Sequence, residues 1–428
     1  MNIHQDSFLI LGKGMTYQSC KDFFDSESVT YKALETSEVL NIEDRKLILK
    51  NNIINLNNID YIVISPGISK KNPIVKKLIA LKCSITTDIE ILQTIKKLKY
   101  ICVTGTNGKT STVNLLSDIL NSNHIKTLAC GNNGVSVFKS LEDKYDFIVL
   151  EISSYQLEYI EKLYSHVSVI LNLSMDHLER HETLKKYFTT KLKIFNNAKY
   201  KIINNNLEYA KKGITFDVKN KSIYVNNSGI GNLEFKNYNF ISYKEEKYMI
   251  NGKHEAYNLA ASIAVLSILG LSVDEIMLGF SKRSHLSHRL ERFCTFDGVT
   301  YINDSKSTNL DSTFNALESV EENIVLIMGG DNKKISYNSL INMIDNKVKL
   351  LILIGDNRKY IKNQLNVRID TILLENLKDA TDYIFANLKP NHTVLLSPGS
   401  SSFSLYKDFE HRGNHFKNLV NNYVNRKT

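Results

Sequence analysis

The sequence contains few residues of the kinds that interrupt or crosslink a chain. It has four prolines among 428 residues, and two of them, Pro66 and Pro398, stand in S-P-G triplets after apolar runs. Because proline cannot continue a central strand, these triplets mark exits from strands into loops. The five cysteines are scattered, and none forms a C-x-x-C pair. This arrangement favours reduced thiols over disulfides or a zinc site.

The sequence also lacks a long apolar run. A membrane-spanning helix needs ~20 apolar residues, and the longest candidate, Leu259 to Leu271, is broken by Ser262, Ser267 and Gly270. The N-terminus, MNIHQDSFLI, has neither the basic start nor the apolar stretch of a signal peptide. We therefore expect a cytoplasmic protein with no membrane span.

The formal net charge is +9, but the sequence has no stripe of basic residues interleaved with aromatics. Such a stripe is typical of a nucleic-acid-binding surface. We expect a lysine-rich solvated surface and no nucleic-acid partner. The charge is also compatible with an anionic substrate.

Short apolar runs alternate with longer amphipathic stretches, which predicts an α/β fold with parallel strands. The length indicates two or three domains at roughly 100–200 residues each. New groups of predicted strands begin near residues 93 and 285. We therefore expect domains at residues 1–93, 94–284 and 285–428. Between residues 207 and 250 the runs are shorter and punctuated by Gly and Asn, which predicts a small antiparallel insertion.

The stretch VTGTNGKTST, residues 103–112, predicts a phosphate-binding loop between a strand and a helix. The usual G-x-x-x-x-G-K-[ST] pattern fails, because Val103 stands where its first glycine should be. Gly105 and Gly108 still permit a tight turn. Lys109 supplies a positive charge and Thr110 a hydroxyl that can reach Mg²⁺. The expected nucleotide-binding residues are Gly105, Thr106, Asn107, Gly108, Lys109, Thr110 and Ser111.

Other polar side chains follow predicted strands, and ligands of parallel α/β sheets bind at that edge. Glu151 ends one strand, and its carboxylate can hold a metal ion. Asp176 and His177 follow the next strand, where such a pair commonly caps a helix. Lys191, from its position alone, is expected to be a surface lysine. Asp304 and Lys306 in YINDSKSTN, together with the loops GGDNKK and LLSPGSSSFSLYKDFEHRG, add further anion-binding candidates.

Taken together, these stretches resemble the Mur ligases, the ATP-dependent amide-bond-forming enzymes of peptidoglycan precursor synthesis. In that family the phosphate loop also has the form T-G-T-N-G-K-T, without the upstream glycine. The resemblance covers almost the whole chain. It is carried by GKGMT, SPGI, EISSYQLE, DHLERH, HRLE, INDSKSTN, GGDNKK and SPGSSSFSLYKDFEHRGNHF.

The resemblance implies three domains: an N-terminal Rossmann-like UDP-binding domain, a central P-loop ATPase-like domain, and a C-terminal Rossmann-like domain that binds the amino acid. It is strongest to the member that adds D-glutamate to UDP-N-acetylmuramoyl-L-alanine through an acyl phosphate. It implies ATP, two Mg²⁺ sites and a carbamylated lysine at Lys191. We expect a monomer.

The resemblance also implies roles for individual residues, with Lys109, His177 and Lys191 taking part in catalysis. The UDP-sugar residues would be Met15, Thr16, Glu35, Thr36 and Gly67. The inner portion of that substrate would meet Asn132, Ser153 and His177. One Mg²⁺ would be held by Thr110 and Glu151, and the second by His177 and the carbamate on Lys191. The nucleotide would be faced by Asn258, Arg289, Asp304 and Lys306. D-glutamate would be held by Thr308, Lys333, Ser402 and Phe409.

Two positions depart from the family pattern. The family often has H-N-x-x-N near the adenine, whereas HEAYN places Glu255 at the first Asn and keeps Asn258. The UDP loop commonly has Asp-Thr-Arg, whereas this chain has Glu35-Thr36-Ser37. A phosphate-facing arginine would therefore be missing, and UDP binding would depend on other groups.

Two alternative functions stay open at this point. Folylpolyglutamate synthetase and the other Mur ligases share the phosphate loop but use other acceptors, although the serine-rich SPGSSSF favours a small acidic amino acid. A P-loop ATPase switch or a nucleic-acid binder would fit the positive charge. That alternative leaves SPGI, DHLERH and SPGSSSF unexplained.

Overall fold

The mixed α/β architecture expected from the alternating apolar runs is confirmed by a computed structural model of the chain. The structure describes residues 1–207, 213–219, 222–225, 228–236, 240–250, 252–283, 287–321, 323–331, 335–388 and 390–427. The five cysteines, all described, are free thiols. Within the described ranges, no helix is long and apolar enough to cross a membrane.

Strands and helices alternate along most of the chain. The strands are β1 (Phe8–Leu11), β2 (Tyr31–Leu34), β3 (Val39–Glu43), β4 (Lys46–Leu49), β5 (Ile53–Asn55), β6 (Tyr61–Ile64), β7 (Ile85–Thr86), β8 (Tyr100–Thr104), β9 (Thr127–Gly131), β10 (Phe147–Glu151), β11 (Tyr164–Ile170), β12 (Asn197–Asn204), β13 (Ile214–Lys219), β14 (Ser222–Val225), β15 (Ser228–Lys236), β16 (Phe240–Tyr243), β17 (Glu246–Met249), β18 (Glu291–Phe296), β19 (Val299–Asn303), β20 (Ile324–Gly330), β21 (Val348–Gly355), β22 (Asp370–Leu373) and β23 (Thr393–Leu396).

The α-helices connect these strands, and short 3₁₀ turns add to several of the loops. The helices are α1 (Met15–Ser26), α2 (Pro73–Ala80), α3 (Asp88–Ile95), α4 (Lys109–Ser122), α5 (Ser154–Tyr159), α6 (Leu178–His181), α7 (Leu184–Leu192), α8 (Gly252–Ile268), α9 (Val273–Ser281), α10 (Leu310–Ser319), α11 (Ile341–Lys347), α12 (Arg358–Gln364), α13 (Leu377–Asn387) and α14 (Phe409–Lys427).

The chain divides into two compact units. The first comprises Met1–Gly231 and Tyr257–Arg283, and the second comprises Asn232–Ala256 and Ser284–Thr428. The chain passes to the second unit within β15, returns to the first within α8, and passes to the second again after Arg283. The predicted division after residue 93 falls inside the first unit, and the three-part division stays a prediction.

The first unit begins with a four-stranded parallel sheet in the order β2-β1-β6-β7. All four residues of β1, FLIL, are buried, as expected for a parallel strand that is covered on both faces. Strands β3, β4 and β5 form a separate antiparallel sheet. Because β2, β1 and β6 are parallel neighbours, the loops that follow them lie at one edge of the sheet.

The second sheet of this unit carries the phosphate loop. Its strands follow the order β14-β13-β12-β11-β8-β10-β9, and β8 lies between two parallel neighbours, β10 and β11. Strand β8, YICVT, is buried at every position. The pairing of β13 with β14 is antiparallel, and so is the pairing of β15 with β16 and of β16 with β17. These pairs agree with the antiparallel insertion expected between residues 207 and 250.

One apolar core joins the two sheets of the first unit. Phe23 of α1 stacks on Phe138 with the ring centroids 4.2 Å apart and the planes 8° from parallel. Beside them, the hydroxyl oxygens of Ser19 and Ser136 are 2.6 Å apart. Residues on both sides of position 93 therefore stabilise the same core.

The second unit contains a six-stranded sheet in the order β18-β19-β23-β20-β21-β22. Strands β19, β23, β20, β21 and β22 are parallel, and β18 is an antiparallel edge strand. The seven residues of β20, IVLIMGG, are all buried. The loops after β19, β23 and β20 lie at one edge, as in the first unit.

Asp88 is a buried carboxylic acid in the core of the first unit. It is the first residue of α3, after the N-cap Thr87, and only 6% of it is exposed. One carboxylate oxygen accepts a hydrogen bond from the Ile89 N–H at 2.9 Å. Burial raises the pKa of Asp88 to about 6, because the charged form loses its hydration.

This raised pKa predicts a pH-dependent stability. A group whose pKa is higher in the folded state stabilises the fold at low pH, where it is protonated. For Asp88 this contribution is complete below the unfolded pKa of ~3.9, and it is lost as the pH rises through about 6. The Asp88→Asn variant should therefore gain stability relative to the wild type between pH 4 and 7, by up to roughly 3 kcal/mol. Thermal unfolding midpoints measured across this range test the prediction, and parallel profiles for the two proteins would contradict it.

Candidate functional site

The phosphate loop occupies the turn between β8 and α4, where the sequence predicted it. Gly108 is the N-cap of α4 and has a φ of +84°. A Cβ at this position would lie 2.3 Å from Oδ1 of Asn258, which is itself buried. Only glycine satisfies both the backbone angle and this close approach. Asn258, expected near the nucleotide, therefore does lie directly against the loop.

The loop is anchored by Asn172, a residue that the sequence analysis did not single out. The Asn107 N–H donates to Oδ1 of Asn172 at 2.8 Å, and Nδ2 of Asn172 donates to the Asn107 carbonyl at 2.9 Å. The Thr106 N–H donates to the Asn172 carbonyl at 3.0 Å. Asn172 follows β11, the neighbour of β8, and its place directly after the apolar run Val169–Leu171 is the signal that could have identified it.

The start of α4 has the properties of an anion site. The first N–H groups of a helix have no carbonyl partner within the helix, and the helix dipole is positive there. The first turn contains no acidic residue that would compete for an anion. Thr110 and Ser111 lie in this turn and are both partly exposed. A phosphate group placed at the turn would meet backbone donors and hydroxyls together.

Two lysine side chains converge on one carbonyl oxygen of the loop. Nζ of Lys109 lies 2.9 Å from the Gly105 carbonyl oxygen and 2.9 Å from that of Thr106. Nζ of Lys191 also lies 2.9 Å from the Gly105 oxygen, and 3.3 Å from Oγ1 of Thr104. The structure thus brings together two of the three residues for which a catalytic role was expected.

The position of Lys191 overturns its interpretation as a surface lysine. Only 1% of the residue is exposed. Burial, reinforced by the neighbouring charge of Lys109, holds the pKa of the Lys191 amine well below its usual range. The sequence pattern around Lys191 is that of an ordinary amphipathic helix, so the reversal comes from the tertiary packing of α7 against the loop.

Tyr187 packs between the loop, Lys191 and the histidine region. Its ring centroid lies 4.9 Å from Nζ of Lys191 and 6.3 Å from the imidazole of His177. Its hydroxyl lies 3.1 Å from Oγ1 of Thr106. Tyr187 was not among the residues predicted from the sequence, although it stands four residues before Lys191, on the same face of a helix.

Glu151 ends β10 beside the loop and has an unused carboxylate oxygen. The residue is 2% exposed, and Oε1 accepts a hydrogen bond from Nδ2 of Asn132 at 2.8 Å. Oε2 is buried and has no hydrogen-bond partner among the described residues. A buried carboxylate oxygen without a donor is a costly arrangement, and a cation would satisfy it.

Two other residues expected to contact the inner portion of the UDP-sugar substrate lie in the loops after β10 and β11. His177 lies before α6 with a φ of +53°, and its Nδ1 is 3.0 Å from the Tyr155 hydroxyl. Nε2 of His177 is 3.6 Å from a carboxylate oxygen of Asp176. Ser153 is the N-cap of α5, and its hydroxyl accepts from the Gln156 N–H. Its hydroxyl is therefore engaged in capping, which is also the usual role of serine at such a position.

The metal ligands that the resemblance implies do not form a cluster of conventional ligands. Among the described residues, no three His, Cys, Asp or Glu side chains are grouped closely enough to hold a metal ion. The implied set consists of a threonine hydroxyl, one carboxylate, one histidine and a modified lysine.

The residues expected to bind the UDP-sugar occupy three adjacent loops of the first sheet. Met15 and Thr16 begin α1 after β1, Glu35 and Thr36 follow β2, and Gly67 follows β6. Met15 is 72% exposed.

Glu35 organises the two loops that follow β1 and β2. Oε1 of Glu35 accepts from the Lys13 N–H at 2.6 Å. Nζ of Lys13 pairs with Glu38 at 3.0 Å. These contacts hold the GKGMT loop next to the Glu35-Thr36-Ser37 turn.

Asp304 is the centre of a buried polar cluster in the second unit. Oδ2 accepts from the hydroxyl of Ser307 at 2.5 Å and from that of Ser397 at 2.8 Å, and Oδ1 accepts from the Leu290 N–H at 3.2 Å. Burial raises the pKa of Asp304 to about 6, although both hydroxyls act in the opposite direction. Asp304 follows β19 and Ser397 follows β23, each after a strand as the sequence predicted, and the structure shows that the two strands are parallel neighbours.

The remaining described candidates belong to the same unit. Nζ of Lys306 lies 3.6 Å from the ring centroid of Phe409, a cation–π contact between a predicted nucleotide residue and a predicted amino-acid residue. Thr308 donates its N–H to the Lys306 carbonyl at 2.9 Å. Ser402 is 3% exposed, and Arg289 is partly buried. Lys333 lies outside the described residues.

Arg412, which the sequence analysis did not select, ties these loops together. The residue is 1% exposed. Its guanidinium donates to the carbonyls of Ser400 and Ser401 at 3.0 and 3.2 Å, and to the hydroxyl and carbonyl of Ser305 at 2.9 and 2.8 Å. Burial lowers its pKa to about 10. The F-E-H-R spacing places Arg412 one turn after Phe409 on the same helix face, which was the available signal.

Two family models match the chain. Residues 103–266 match the Mur ligase middle domain, and residues 288–399 match the Mur ligase glutamate ligase domain. A UDP-N-acetylmuramoylalanine–D-glutamate ligase of Buchnera aphidicola is 34% identical over an alignment of 447 positions, which covers 98% of each chain. A protein of the same name from Caldanaerobacter subterraneus is 33% identical over 85% of this chain and 84% of its own.

Solved structures share the fold at lower identity. A UDP-N-acetylmuramate–alanine ligase of Thermotoga maritima superposes with a TM-score of 0.64 at 17% identity, covering 98% of this chain and 99% of its own. A second ligase of that organism, solved with ADP, has a TM-score of 0.59 at 14% identity, covering 87% and 91%. With the two family models and a near-full-length relative above 30% identity, the chain belongs to the Mur ligase family.

Proposed function

We propose that the protein is an ATP-dependent ligase that joins D-glutamate to UDP-N-acetylmuramoyl-L-alanine, a step of peptidoglycan precursor synthesis. The observation that carries the proposal is the convergence of Lys109 and buried Lys191 on the Gly105 carbonyl, beside a phosphate loop of the Mur type. The near-full-length relatives, which bear the name of this activity, support the choice of substrates.

In this proposal the chain has three functional parts. Residues 1–93 bind the UDP-sugar, residues 94–284 bind ATP, and residues 285–428 bind the amino acid. The support for the first part is the position of Met15, Glu35 and Gly67 after adjacent parallel strands. The support for the last is the buried polar cluster around Asp304 and the contact of Lys306 with Phe409.

The residues present fit magnesium ions. Thr110 and Glu151 would hold one ion, and the buried, partnerless Oε2 of Glu151 supports this assignment. His177 and a carbamate on Lys191 would hold the second. When bound, the ions supply positive charge that neutralises the phosphate and carboxylate oxygens of the two substrates.

The residues of this chain supply positioning and charge for the reaction. The substrate carboxylate attacks the γ-phosphorus of ATP, the bond to ADP breaks, and an acyl phosphate forms. Lys109 and the first N–H groups of α4 compensate the charge on the transferred phosphoryl group. The amine of D-glutamate then attacks the acyl carbon, and phosphate leaves with one oxygen of the original carboxylate.

The proposed binding site for D-glutamate consists of residues of the second unit. Thr308 and Ser402 offer hydroxyls to the carboxylates of D-glutamate, and Phe409 bounds the pocket. Lys333 is proposed as the positive partner of a carboxylate. An acceptor with an additional ammonium group in its side chain would be repelled by that charge, which favours D-glutamate over L-lysine or meso-diaminopimelate.

The proposed substrates also bear on location. ATP and a UDP-linked sugar are cytoplasmic metabolites, so we propose that the protein acts in the cytoplasm. The monomeric state expected from the sequence stays a prediction.

A two-substrate assay tests the proposed function. Phosphate release from ATP should require both UDP-N-acetylmuramoyl-L-alanine and D-glutamate. A folate substrate, another amino acid or a nucleic acid should not replace them. Phosphate release that needs neither substrate would favour an ATPase switch, and release with a folate substrate and glutamate would favour a folylpolyglutamate ligase.

We predict that Lys109→Ala and Glu151→Ala each lose most of the ligase activity. Removing one preorganised charged group from a site of this kind typically lowers the rate by ~10²–10³-fold. Lys126→Ala is a matched control, because Lys126 forms an exposed ion pair with Asp143 on the surface and should retain activity. Near-normal turnover by either folded site variant would contradict the site.

We predict that Lys191 carries a carbamate in the active enzyme. A neutral amine attacks CO₂, and burial lowers the pKa of the Lys191 amine, which favours its neutral form. Enzyme equilibrated with ¹³C-bicarbonate and Mg²⁺ should show a carbamate carbon signal by NMR that is missing from Lys191→Ala. The variant should lose activity and regain part of it with a short carboxylic acid. A labelled wild type without the signal would rule out the modification.

We predict that Ser402→Ala and Lys333→Ala raise the KM for D-glutamate far more than the KM for ATP. In this proposal each variant removes a group that would contact only the amino acid, so the binding of D-glutamate should weaken while that of ATP should not. Ser404→Ala is a control for Ser402, because Ser404 is exposed in the same loop. Equal use of L-lysine by the wild type would show the pocket assignment to be wrong.

A further inference from the structure

Arg180 of the D-H-L-E-R-H segment binds the S-P-G-I loop of the first sheet, where the Tyr159 hydroxyl also donates to the Ile68 carbonyl at 2.8 Å. Nη1 of Arg180 donates to the Gly67 carbonyl at 2.9 Å. Nη2 donates to the Pro66 carbonyl at 3.0 Å and to the Ile68 carbonyl at 2.7 Å. One guanidinium thus binds three consecutive carbonyls of the loop that holds Gly67, a residue proposed to contact the UDP-sugar.

The guanidinium is fixed from its other side by Glu158. Nε of Arg180 lies 3.2 and 3.0 Å from the two carboxylate oxygens, and Nη2 lies 2.7 Å from Oε2. The side chains of Arg180 and Glu158 are only 7% and 13% exposed. Nδ1 of His181 lies 3.3 Å from Oε1 of the same carboxylate. The fork geometry leaves Arg180 little rotational freedom.

The same guanidinium also contacts the residue that orients His177. Its central carbon lies 4.7 Å from the ring centroid of Tyr155, and the Tyr155 hydroxyl lies 3.0 Å from Nδ1 of His177. A short chain of contacts therefore runs from the Gly67 carbonyl through Arg180 and Tyr155 to the imidazole.

We propose that Arg180 is a positioning residue that sets the distance between the UDP-sugar loop and His177. The inference rests on the proposed function. With the guanidinium in place, the loop that holds the UDP-sugar and the histidine near the reacting carboxylate keep one arrangement. A shift of about 1 Å at a reacting centre lowers rates by up to ~10²-fold, so such a link matters for turnover.

A purely stabilising role accounts for these contacts less well. A buried ion pair contributes little net stability, because the loss of hydration offsets the attraction. The part of the interaction that lysine cannot reproduce is the planar fork that reaches three carbonyls and a carboxylate together. The geometry, more than the charge, is what Arg180 supplies.

The test compares Arg180→Lys with Arg45→Lys. Arg45 also binds a carbonyl, that of Leu81 at 2.8 Å, and the side chain of Asn57 at 2.8 Å, but it lies in the β3–β4 turn. UDP-N-acetylmuramoyl-L-alanine is titrated into each full-length protein by calorimetry with Mg²⁺ and a non-hydrolysable ATP analogue. Arg180→Lys should weaken binding by about 10-fold or more, and Arg45→Lys should bind within about 2-fold of the wild type.

Steady-state kinetics separate positioning from general damage. In Arg180→Lys the KM for the UDP-sugar should rise and kcat should fall, while the KM values for ATP and D-glutamate stay unchanged. Glu158→Gln, which keeps the shape but weakens the hold on the guanidinium, should show the same pattern to a smaller degree. It also serves as the second variant if Arg180→Lys does not fold.

If the wild type binds the UDP-sugar, and Arg180→Lys and Glu158→Gln both bind it and turn over as the wild type does, this inference is overturned. The proposed function would then still stand. A wild type that binds no UDP-sugar at all would overturn the proposed function and this inference with it. A rise of all three KM values by the same factor in Arg180→Lys would show a structural role only and would also count against the proposal.

Discussion

The constraint on which the site depends is that two lysine amines meet at one carbonyl oxygen. Lys109 and Lys191 both place Nζ at 2.9 Å from the Gly105 oxygen, so two full positive charges would repel each other at close range. Lys109 is partly exposed and Lys191 is buried, so burial selects Lys191 as the amine with the lowered pKa. Of the two amines, that of Lys191 is therefore the one whose neutral form is favoured and that can be modified, while Lys109 is placed to meet phosphate.

The rest of the first unit serves to hold that loop in place. Neighbouring strands β11, β8, β10 and β9 end together, and they deliver Asn172, the loop, Glu151 and Asn132 to one edge. Asn172 binds the loop backbone on one side, and Asn258 closes against Gly108 on another. Because each anchor is an amide, neither anchor adds a negative charge beside the place where phosphate would bind.

The sequence predicted those parts of the fold and site that depend on residues close together in the chain. Apolar runs followed by Gly, Asp or Ser identified the strand ends, so Glu151, Asp304 and the loop at 105–108 lie where they were expected. Residues defined by long-range packing were not found in this way. Tyr187, Asn172, Arg180 and Arg412 each act by contacts with segments far away in the sequence. Lys191 was misplaced for the same reason, because nothing within α7 indicates that its amine is buried beside Thr104.

The resemblance to a family supplied what the local sequence pattern could not, namely the substrates and the roles of single side chains.

The central claim, that ATP activates a carboxylate for amide formation, is tested most directly by isotope transfer. UDP-N-acetylmuramoyl-L-alanine labelled with ¹⁸O in its carboxylate is turned over with ATP and D-glutamate, and the released phosphate is analysed by mass spectrometry. The account predicts one ¹⁸O atom per phosphate, because the acyl phosphate leaves with a carboxylate oxygen. Unlabelled phosphate, with its new oxygen taken from water, would contradict it.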